Sequence, residues 1–169
     1  MGHRSPSICS LDPYEDQEAA NMTNRSTLTE AEAAFVQRQR VARLATADAE
    51  GKPHVIPVCY AFDGTYFYTP LDEKPKRVSE SKLRRVRNIA ARPEVALVID
   101  QYDDDWSRLG YLLIQGRAVL LAPTEAPHAQ ALVLLRARYI QYHAMALEKY
   151  PVIMITPEHV TSWGPAISH

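Results

Sequence analysis

Short apolar segments joined by tight turn signals limit this chain to a small set of folds. Residues 41–47 form one such segment, which ends at the turn signal Asp-Ala-Glu-Gly of residues 48–51. Asp63-Gly64 is a strong two-residue hairpin signal, and it separates residues 54–62 from residues 65–69. Because two-residue turns join antiparallel strands and parallel strands need long crossovers, the pattern predicts a mainly antiparallel sheet.

The rest of the chain adds further predicted strands and short helices. Strands are predicted over residues 95–100, 111–121 and 152–156, and helices over residues 29–40, 81–91 and 124–147. Pro57 cannot donate to a ladder, so it predicts a sheet edge or a bulge within the second strand. The order is helix, three strands, helix, two strands, helix, strand. It suits a mainly β fold with short helices, a six-stranded antiparallel barrel.

Two of the predicted helices carry start signals. Thr29 and Glu32 have the spacing of a capping box. Thr124 is a candidate N-cap for the last helix, and Pro127 is compatible with it because Pro127 falls in the first turn. Both helices are therefore expected to begin close to these residues.

Length and composition predict one folded domain behind a polar tail. The chain has 169 residues, 46% of them hydrophobic and 23% charged, with a net charge of −1. Residues 1–26 are poor in apolar residues and are predicted to be a mobile tail before a domain spanning 27–169, so that Met1 and Met22 are both candidate start sites. No signal peptide and no apolar run of roughly 20 residues is present, which predicts a cytoplasmic protein.

Cysteine, histidine and acidic residues give no metal or nucleophile pattern. Cys9 falls in the tail and Cys59 in an apolar strand, so no disulfide or zinc site is expected. The acidic triplet of residues 103–105 lacks the spaced ligands and the glycine of a calcium loop and is interpreted as a solvated loop. His54 is interpreted as structural rather than catalytic, and His128 and His143 as surface residues. No catalytic residue is identified.

A strongly basic stretch runs from Asp72 to Arg87. It holds seven basic residues against three acidic ones, a local balance of +4 in a chain whose remainder sums to −5. Such segregation creates a local field that attracts anions, and backbone N–H groups at a helix N-terminus near Ser79 to Lys82 can add to phosphate binding. A solvated helix face is an equally good interpretation of Arg84 and Arg87. For Lys76, Arg77 and Arg85, phosphate binding is the favoured interpretation, since they crowd the end of a hairpin strand.

From about Thr29 to Pro165, the chain resembles the pyridoxamine-phosphate-oxidase-like split-barrel family. The stretches RLATADAEGKPHVIPVCYAFDGTYFYTP, DEKPKR and LRRVRNIAARPEVALVIDQYDDDWSRLGYLLIQGRAVLL occur in the family's order. Within the family, the DDDWSRL loop resembles the branch that depends on the deazaflavin coenzyme F420. The resemblance implies an FMN-binding type of split barrel, a homodimer with cofactor sites at the subunit interface, and a small-molecule substrate.

The resemblance also implies a set of cofactor-binding residues. Backbone groups at Ile56, Pro57 and Val58 would edge the ring, and Tyr68 and Thr69 would lie near the linker to the phosphate. The phosphate would meet Lys76, Arg77 and Arg85, with Asn88 in support and Trp106 approaching from the acidic loop. Independently of the resemblance, Tyr139 and Tyr142 are candidates for an interface near the cofactor, and a core or surface role is an equally good interpretation. Trp163 would dock the C-terminal end or form a cofactor wall across the dimer.

The sequence leaves several candidates for the cofactor and for the activity. F420 carries a phosphodiester and an anionic tail, which match an elongated cationic surface better than the compact terminal phosphate of riboflavin phosphate (FMN) does. A hydride-transfer protein needs few catalytic side chains, because the cofactor carries the reactive atom. The leading hypothesis is an F420-dependent oxidoreductase, and the alternatives are an FMN-dependent oxidase or reductase and a non-catalytic carrier. A nucleic-acid binder is disfavoured because the basic stretch lacks interleaved aromatics.

Overall fold

The computed structural model describes residues 25–71 and 83–167 of the chain. The predicted tail therefore lies outside the described residues up to position 24, and so do the predicted phosphate ligands Lys76 and Arg77. The helices are α1 (Glu30–Arg38), α2 (Arg84–Ala91) and α3 (Ala126–Arg138). The strands are β1 (Ala42–Ala47), β2 (Pro53–Val58), β3 (Ala61–Phe62), β4 (Phe67–Pro70), β5 (Glu94–Gln101), β6 (Gly110–Leu121) and β7 (Val152–Trp163).

The strands form one curled antiparallel sheet, a half-barrel. Its order is β2-β1-β5-β6-β7-β4-β3, and every pair of neighbours is antiparallel, as the hairpin signals predict. The described residues contain seven strands rather than the predicted six, because the segment 54–62 is interrupted at Cys59 and Tyr60. There the backbone N–H of Tyr60 donates to the Tyr139 hydroxyl at 3.0 Å instead of to a neighbouring strand.

The last helix differs from its predicted bounds because of tertiary contacts. It begins with Glu125 as its N-cap, one residue beyond the predicted cap, and it ends at Arg138 rather than near residue 147. Short 3₁₀ turns follow it. Tyr139 leaves the helical conformation, with φ at −129°, and its hydroxyl bonds to the carbonyl oxygens of Arg40 and Tyr60.

The last strand is longer than the sequence predicts. It is predicted to stop at residue 156, but β7 continues to Trp163. Pro157 is accommodated within it because Pro157 lies at a bulge opposite Gly116. The ladder between β6 and β7 therefore runs along nearly the whole length of both strands.

Two apolar layers hold the sheet. The main core lies inside the half-barrel and is built from alternating strand residues such as Leu44, Leu97 and Ile114. A second core forms where α3 packs on the other face of β4, around Tyr68 and Leu135. All four residues of β4 are buried, since β4 lies between the two cores.

The capping box that the sequence predicts opens α1. The Thr29 hydroxyl accepts from the backbone N–H of Glu32 at 3.3 Å, and the Glu32 carboxylate accepts from the Thr29 N–H at 2.8 Å. At the other end, the Arg138 guanidinium donates to the carbonyl oxygens of Val36 and Gln37 at 2.9 and 3.1 Å. These are helix-end carbonyls that lack intrahelical partners, so Arg138 caps α1 from α3.

Candidate functional site

The three residues expected to edge a cofactor ring lie on β2, at a free edge of the sheet. β2 pairs only with β1 within the described residues, so one side of its backbone has no strand partner there. Ile56 is half-buried against the main core, Pro57 is exposed and Val58 is buried. The edge position of Pro57 confirms the prediction made from its missing N–H. Unpaired strand edges offer backbone donors and acceptors to a ligand.

Helix α2 is held on β1, the strand next to β2, by a buried polar contact. The Asn88 side chain, 3% exposed, donates to the Thr46 hydroxyl at 2.9 Å. That hydroxyl in turn donates to the carbonyl oxygen of His54 on β2, at 3.4 Å. Asn88 thus fixes α2 to β1 through Thr46, which the sequence did not single out, and Thr46 continues the contact to β2.

His54 lies beside the basic end of α2. Its ring Nδ1 is buried and has no hydrogen-bond partner within the described part of the chain. Burial lowers the pKa of the imidazole, and the charges of Arg84 and Arg85 lower it further. A neutral ring with an unsatisfied buried nitrogen next to two cations is an arrangement that an anion would complete. The sequence did not reveal this feature, since a strand pattern carries no information about which helix packs on the strand.

The two predicted residues of β4 lie on opposite sides of the strand. Tyr68 packs in the second core under α3, and its hydroxyl donates to the Asp63 carboxylate at 2.8 Å. Burial raises the pKa of Tyr68, and the hydrogen bond to Asp63 raises it further. Thr69 is 3% exposed. Because side chains alternate along a strand, Thr69 lies on the same side of β4 as Phe67, which packs in the main core. The side chains of Tyr68 and Ile56 are therefore not brought together.

Trp106 lies in the loop between β5 and β6, at the end of this hairpin that is farther from α2. It is 73% exposed, in a 3₁₀ turn of residues 106–108 that the Asp105 side chain caps by accepting from the Ser107 N–H at 3.0 Å. The register of the sheet aligns Val55 with Ala45 and Ala45 with Ala96. The distance along β5 from Ala96 to its last residue, Gln101, is about 17 Å. Within one chain, Trp106 and the basic end of α2 do not converge.

The outer face of the sheet carries an apolar stripe, which we call the outer stripe. Its residues alternate with buried core residues and pair across neighbouring strands; they are Ala45, Val55, Ala96, Val98, Leu113, Tyr111 and Trp163. Val55 is 58% exposed, and the Tyr111 and Trp163 rings stack with centroids 6.0 Å apart. The stripe runs across five strands, from β2 to β7.

A separate cleft of about 320 Å³ lies between the ends of α1 and α3 and the edge strand β3. Phe62, Leu134, Arg40 and Arg138 are among the residues that line it. Both arginines have structural contacts, because Arg138 caps α1 and the Arg40 guanidinium lies over the Tyr139 ring, 4.6 Å from its centroid. The cleft therefore has a structural explanation that does not involve a ligand.

The two histidines on and after α3 differ in their exposure. His128 is not a surface residue: it is 2% exposed, and its Nε2 pairs with the Tyr150 carbonyl oxygen at 2.8 Å. His143 is exposed, as expected. Tyr139 and Tyr142 are buried in the second core, which favours the packing interpretation.

Within residues 25–71 and 83–167, no three His, Cys, Asp or Glu residues lie close enough to hold a metal ion. None of the helices described there has the length and apolar character needed to cross a bilayer.

Comparison with known proteins gives the family. Residues 28–164 match the family model described as pyridoxamine 5'-phosphate oxidase. The chain belongs to this family, which confirms the resemblance seen in the sequence. No curated protein matches.

Solved structures of the same fold have different reported roles. A conserved hypothetical protein of Mycobacterium tuberculosis matches with a TM-score of 0.66 at 22% identity, over 87% of this chain and 92% of that one. The heme storage protein HutZ of Vibrio cholerae matches with a TM-score of 0.64 at 16% identity, over 82% and 94%. An F420 reductase matches with a TM-score of 0.57 at 22% identity, over 79% and 98%. At these identities the likeness establishes the fold alone.

Proposed function

We propose that the protein is an F420-dependent oxidoreductase that transfers a hydride from the reduced deazaflavin to a small organic acceptor. The observation that carries the proposal is the basic end of α2 beside the unsatisfied His54 Nδ1, at the free edge of β2. Arg84 and Arg85 supply positive charge there, the imidazole supplies a polar atom without a partner, and the strand edge supplies backbone groups. This donor set suits a ligand with a flat polar ring and an anionic tail.

The residues of this chain would hold the cofactor as follows. Backbone groups of residues 56–58 edge the ring, and Thr69 and the backbone of Tyr68 lie along the linker. Arg85 binds the phosphate together with Lys76 and Arg77, and Asn88 keeps α2 in position. When bound, the cofactor supplies the hydride, so the protein has to bind, orient and shield the ring.

F420 is the preferred cofactor because the basic stretch is long. Seven cationic residues between 72 and 87 extend well beyond what one terminal phosphate needs, whereas a phosphodiester with a glutamate tail carries several charges along its length. The similarity to an F420 reductase supports the same choice. An FMN-dependent oxidase or reductase is the alternative, and a non-catalytic carrier is a second one, since the same fold serves a heme storage protein.

Cofactor choice and its ligands can be tested together by fluorescence titration with F420 and with FMN. The wild-type protein is expected to bind F420 more tightly. Arg85→Ala should weaken binding by about 10- to 100-fold, the loss of one charge-assisted hydrogen bond. Lys76→Ala and Arg77→Ala should act in the same direction. The matched control is Arg87→Ala, because Arg87 is exposed on the same helix and changes the net charge equally. Tighter binding of FMN would assign the cofactor to the alternative, and equal effects of Arg85 and Arg87 would place the phosphate elsewhere.

Turnover separates the enzyme from the carrier. The protein is mixed with a stoichiometric amount of reduced F420 under anaerobic conditions, and acceptors with activated double bonds are added while the absorbance of the oxidised cofactor is followed. An enzyme is expected to accelerate reoxidation in proportion to its concentration. Tight binding with no acceleration for any acceptor would support the carrier.

We further propose that the outer stripe joins two copies of the chain and so brings Trp106 of one copy toward the α2 site of the other. Val55→Asp is expected to convert a dimer into a monomer, because it places a charge in the buried interface. Val133→Asp is the matched control, since Val133 is 61% exposed on α3, away from the stripe. Light scattering after size-exclusion chromatography measures the mass of each. A monomeric wild-type protein, or a Val55→Asp variant that is still dimeric, would contradict this assembly.

A further inference from the structure

The starting observation is an unsatisfied atom at a point where the rest of the site is satisfied. Among the described residues, His54 Nδ1 is the buried side-chain nitrogen or oxygen without a hydrogen-bond partner. The strand that carries it is held firmly, since the His54 carbonyl oxygen accepts from Thr46 and Thr46 accepts from Asn88. Leaving a buried polar atom unpaired is destabilising, so such an atom in an otherwise bonded network indicates a missing partner.

The surroundings of the ring show what that partner is. The charged groups that act on His54 are Arg84 and Arg85, both on α2, and both disfavour the protonated imidazole. Thr46 on β1 and Asn88 on α2 are neutral, and no described carboxylate is among the groups that shift the His54 pKa. Within the described part of the chain, the charged groups that shift the pKa of His54 are therefore both positive. An anion that enters this field would reverse the electrostatics, because it is attracted by both arginines and by a protonated imidazole.

We propose that His54 is an additional ligand of the cofactor's anionic group: it takes up a proton as the anion binds and donates a hydrogen bond to it from Nδ1. The inference rests on the proposed function, because it concerns the same site. It assigns a binding role to His54 and makes cofactor affinity depend on pH.

The direction of the pH dependence follows from the two states of the ring. In the free protein, the His54 pKa lies below its usual value of 6.5, so the ring is neutral at pH 7. Bound anion raises this pKa. Affinity therefore increases as pH falls through the pKa of the bound state and becomes constant below the pKa of the free state. The gain is about tenfold for each unit by which binding raises the pKa.

F420 is the suitable probe, because a phosphodiester does not titrate near neutral pH, whereas the phosphomonoester of FMN has a second pKa of about 6. Titration calorimetry at pH 7 in two buffers of different ionisation enthalpy counts the protons taken up when F420 binds. We expect a net uptake of up to one proton, and a higher affinity at pH 6 than at pH 8. His54→Gln keeps a hydrogen-bonding side chain but cannot titrate, so uptake should disappear and the affinity should no longer change with pH.

The matched control is His159→Gln, since His159 is exposed on β7 and its removal should leave the proton uptake unchanged. Proton NMR of the His54 ring gives an independent readout, a pKa that rises on addition of F420. F420 binding without proton uptake, or uptake that persists in His54→Gln, would overturn the role of His54 and leave the proposed function standing. If neither F420, FMN nor inorganic phosphate bound at any pH, the proposed function and the role of His54 would both fall.

Discussion

Gly116→Ala is expected to destabilise the protein by about 3 kcal/mol or more, because the backbone leaves no room for a side chain there. Gly116 lies at the bulge where β6 crosses β7, opposite Thr156 and Pro157. A Cβ at Gly116 would overlap the carbonyl oxygen of Thr156. That oxygen belongs to the backbone and cannot turn away as a flexible side chain could, so relief requires the central strand pair to separate. Urea unfolding followed by circular dichroism measures the loss.

Gly51→Ala is the control for this substitution. Gly51 has a φ of +84°, and no atom lies within 4 Å of the position that an added Cβ would take, so it tests the cost of the left-handed backbone without a clash. We expect a loss of about 1 kcal/mol. If Gly116→Ala were no less stable than Gly51→Ala, the close approach of β6 and β7 at the bulge would be wrong.

Glu32→Ala is expected to lower the free energy of unfolding by about 3 kcal/mol at neutral pH. Its side chain is 2% exposed and accepts hydrogen bonds from the Arg25 guanidinium and from the Thr29 N–H. Glu32→Ala leaves the Arg25 charge without its partner and removes the half of the capping box in which the carboxylate accepts from the Thr29 N–H. Arg25→Ala is expected to be similarly damaging, and the double variant should lose less than the sum of the two.

The same residue predicts a defined loss of stability in acid. Burial by itself raises the pKa of Glu32, but the hydrogen bonds from Arg25, Ser162 and Thr29 outweigh it and lower the pKa from 4.5 to about 2. A carboxyl whose folded pKa is depressed stabilises the protein above its unfolded pKa and loses that contribution as pH falls to the folded pKa. Stability should therefore decline between about pH 4.5 and pH 2, and Glu32→Gln should remove that part of the decline.

Glu148→Gln is the control for the acid series. Glu148 pairs with Arg136 at 2.5 Å but is exposed, so this pair is screened by solvent and should contribute little. Urea midpoints are compared at pH 7, 4 and 3 for the three proteins. Parallel curves for wild type and Glu32→Gln would show that Glu32 titrates no lower in the folded than in the unfolded chain.

Where a local rule acts alone, the sequence was a good guide. The capping box of Thr29 and Glu32 and the edge position of Pro57 are present as predicted, since each depends on the backbone needs of a few neighbouring residues. The hairpin signalled by Asp63-Gly64 is present too, but residues 63–66 form a four-residue loop between β3 and β4 rather than a two-residue turn. The basic residues of α2, especially those in its N-terminal half, were likewise visible in the sequence as local positive charge. The family resemblance followed from the order of such local features along the chain.

Contacts between distant segments account for the errors. The predicted last helix is interrupted because the Tyr139 hydroxyl bonds to the carbonyl oxygens of Arg40 and Tyr60, which lie 99 and 79 positions away in the sequence. The Tyr139 hydroxyl also accepts from the Tyr60 N–H, and this contact divides the predicted second strand. His128 is predicted at the surface because its side chain is polar. It is buried instead, since its Nε2 pairs with the Tyr150 carbonyl oxygen, 22 positions away.

The order of residues along this chain was sufficient for its antiparallel architecture, the start of its first helix and its positive segment, because turns, caps and charge are properties of short stretches. It was not sufficient for the placement of α2 on β1, which leaves His54 Nδ1 unpaired beside Arg84 and Arg85, or for the assembly of the outer stripe from five strands. Those features depend on which elements pack together, and packing is determined by the free energy of the whole fold.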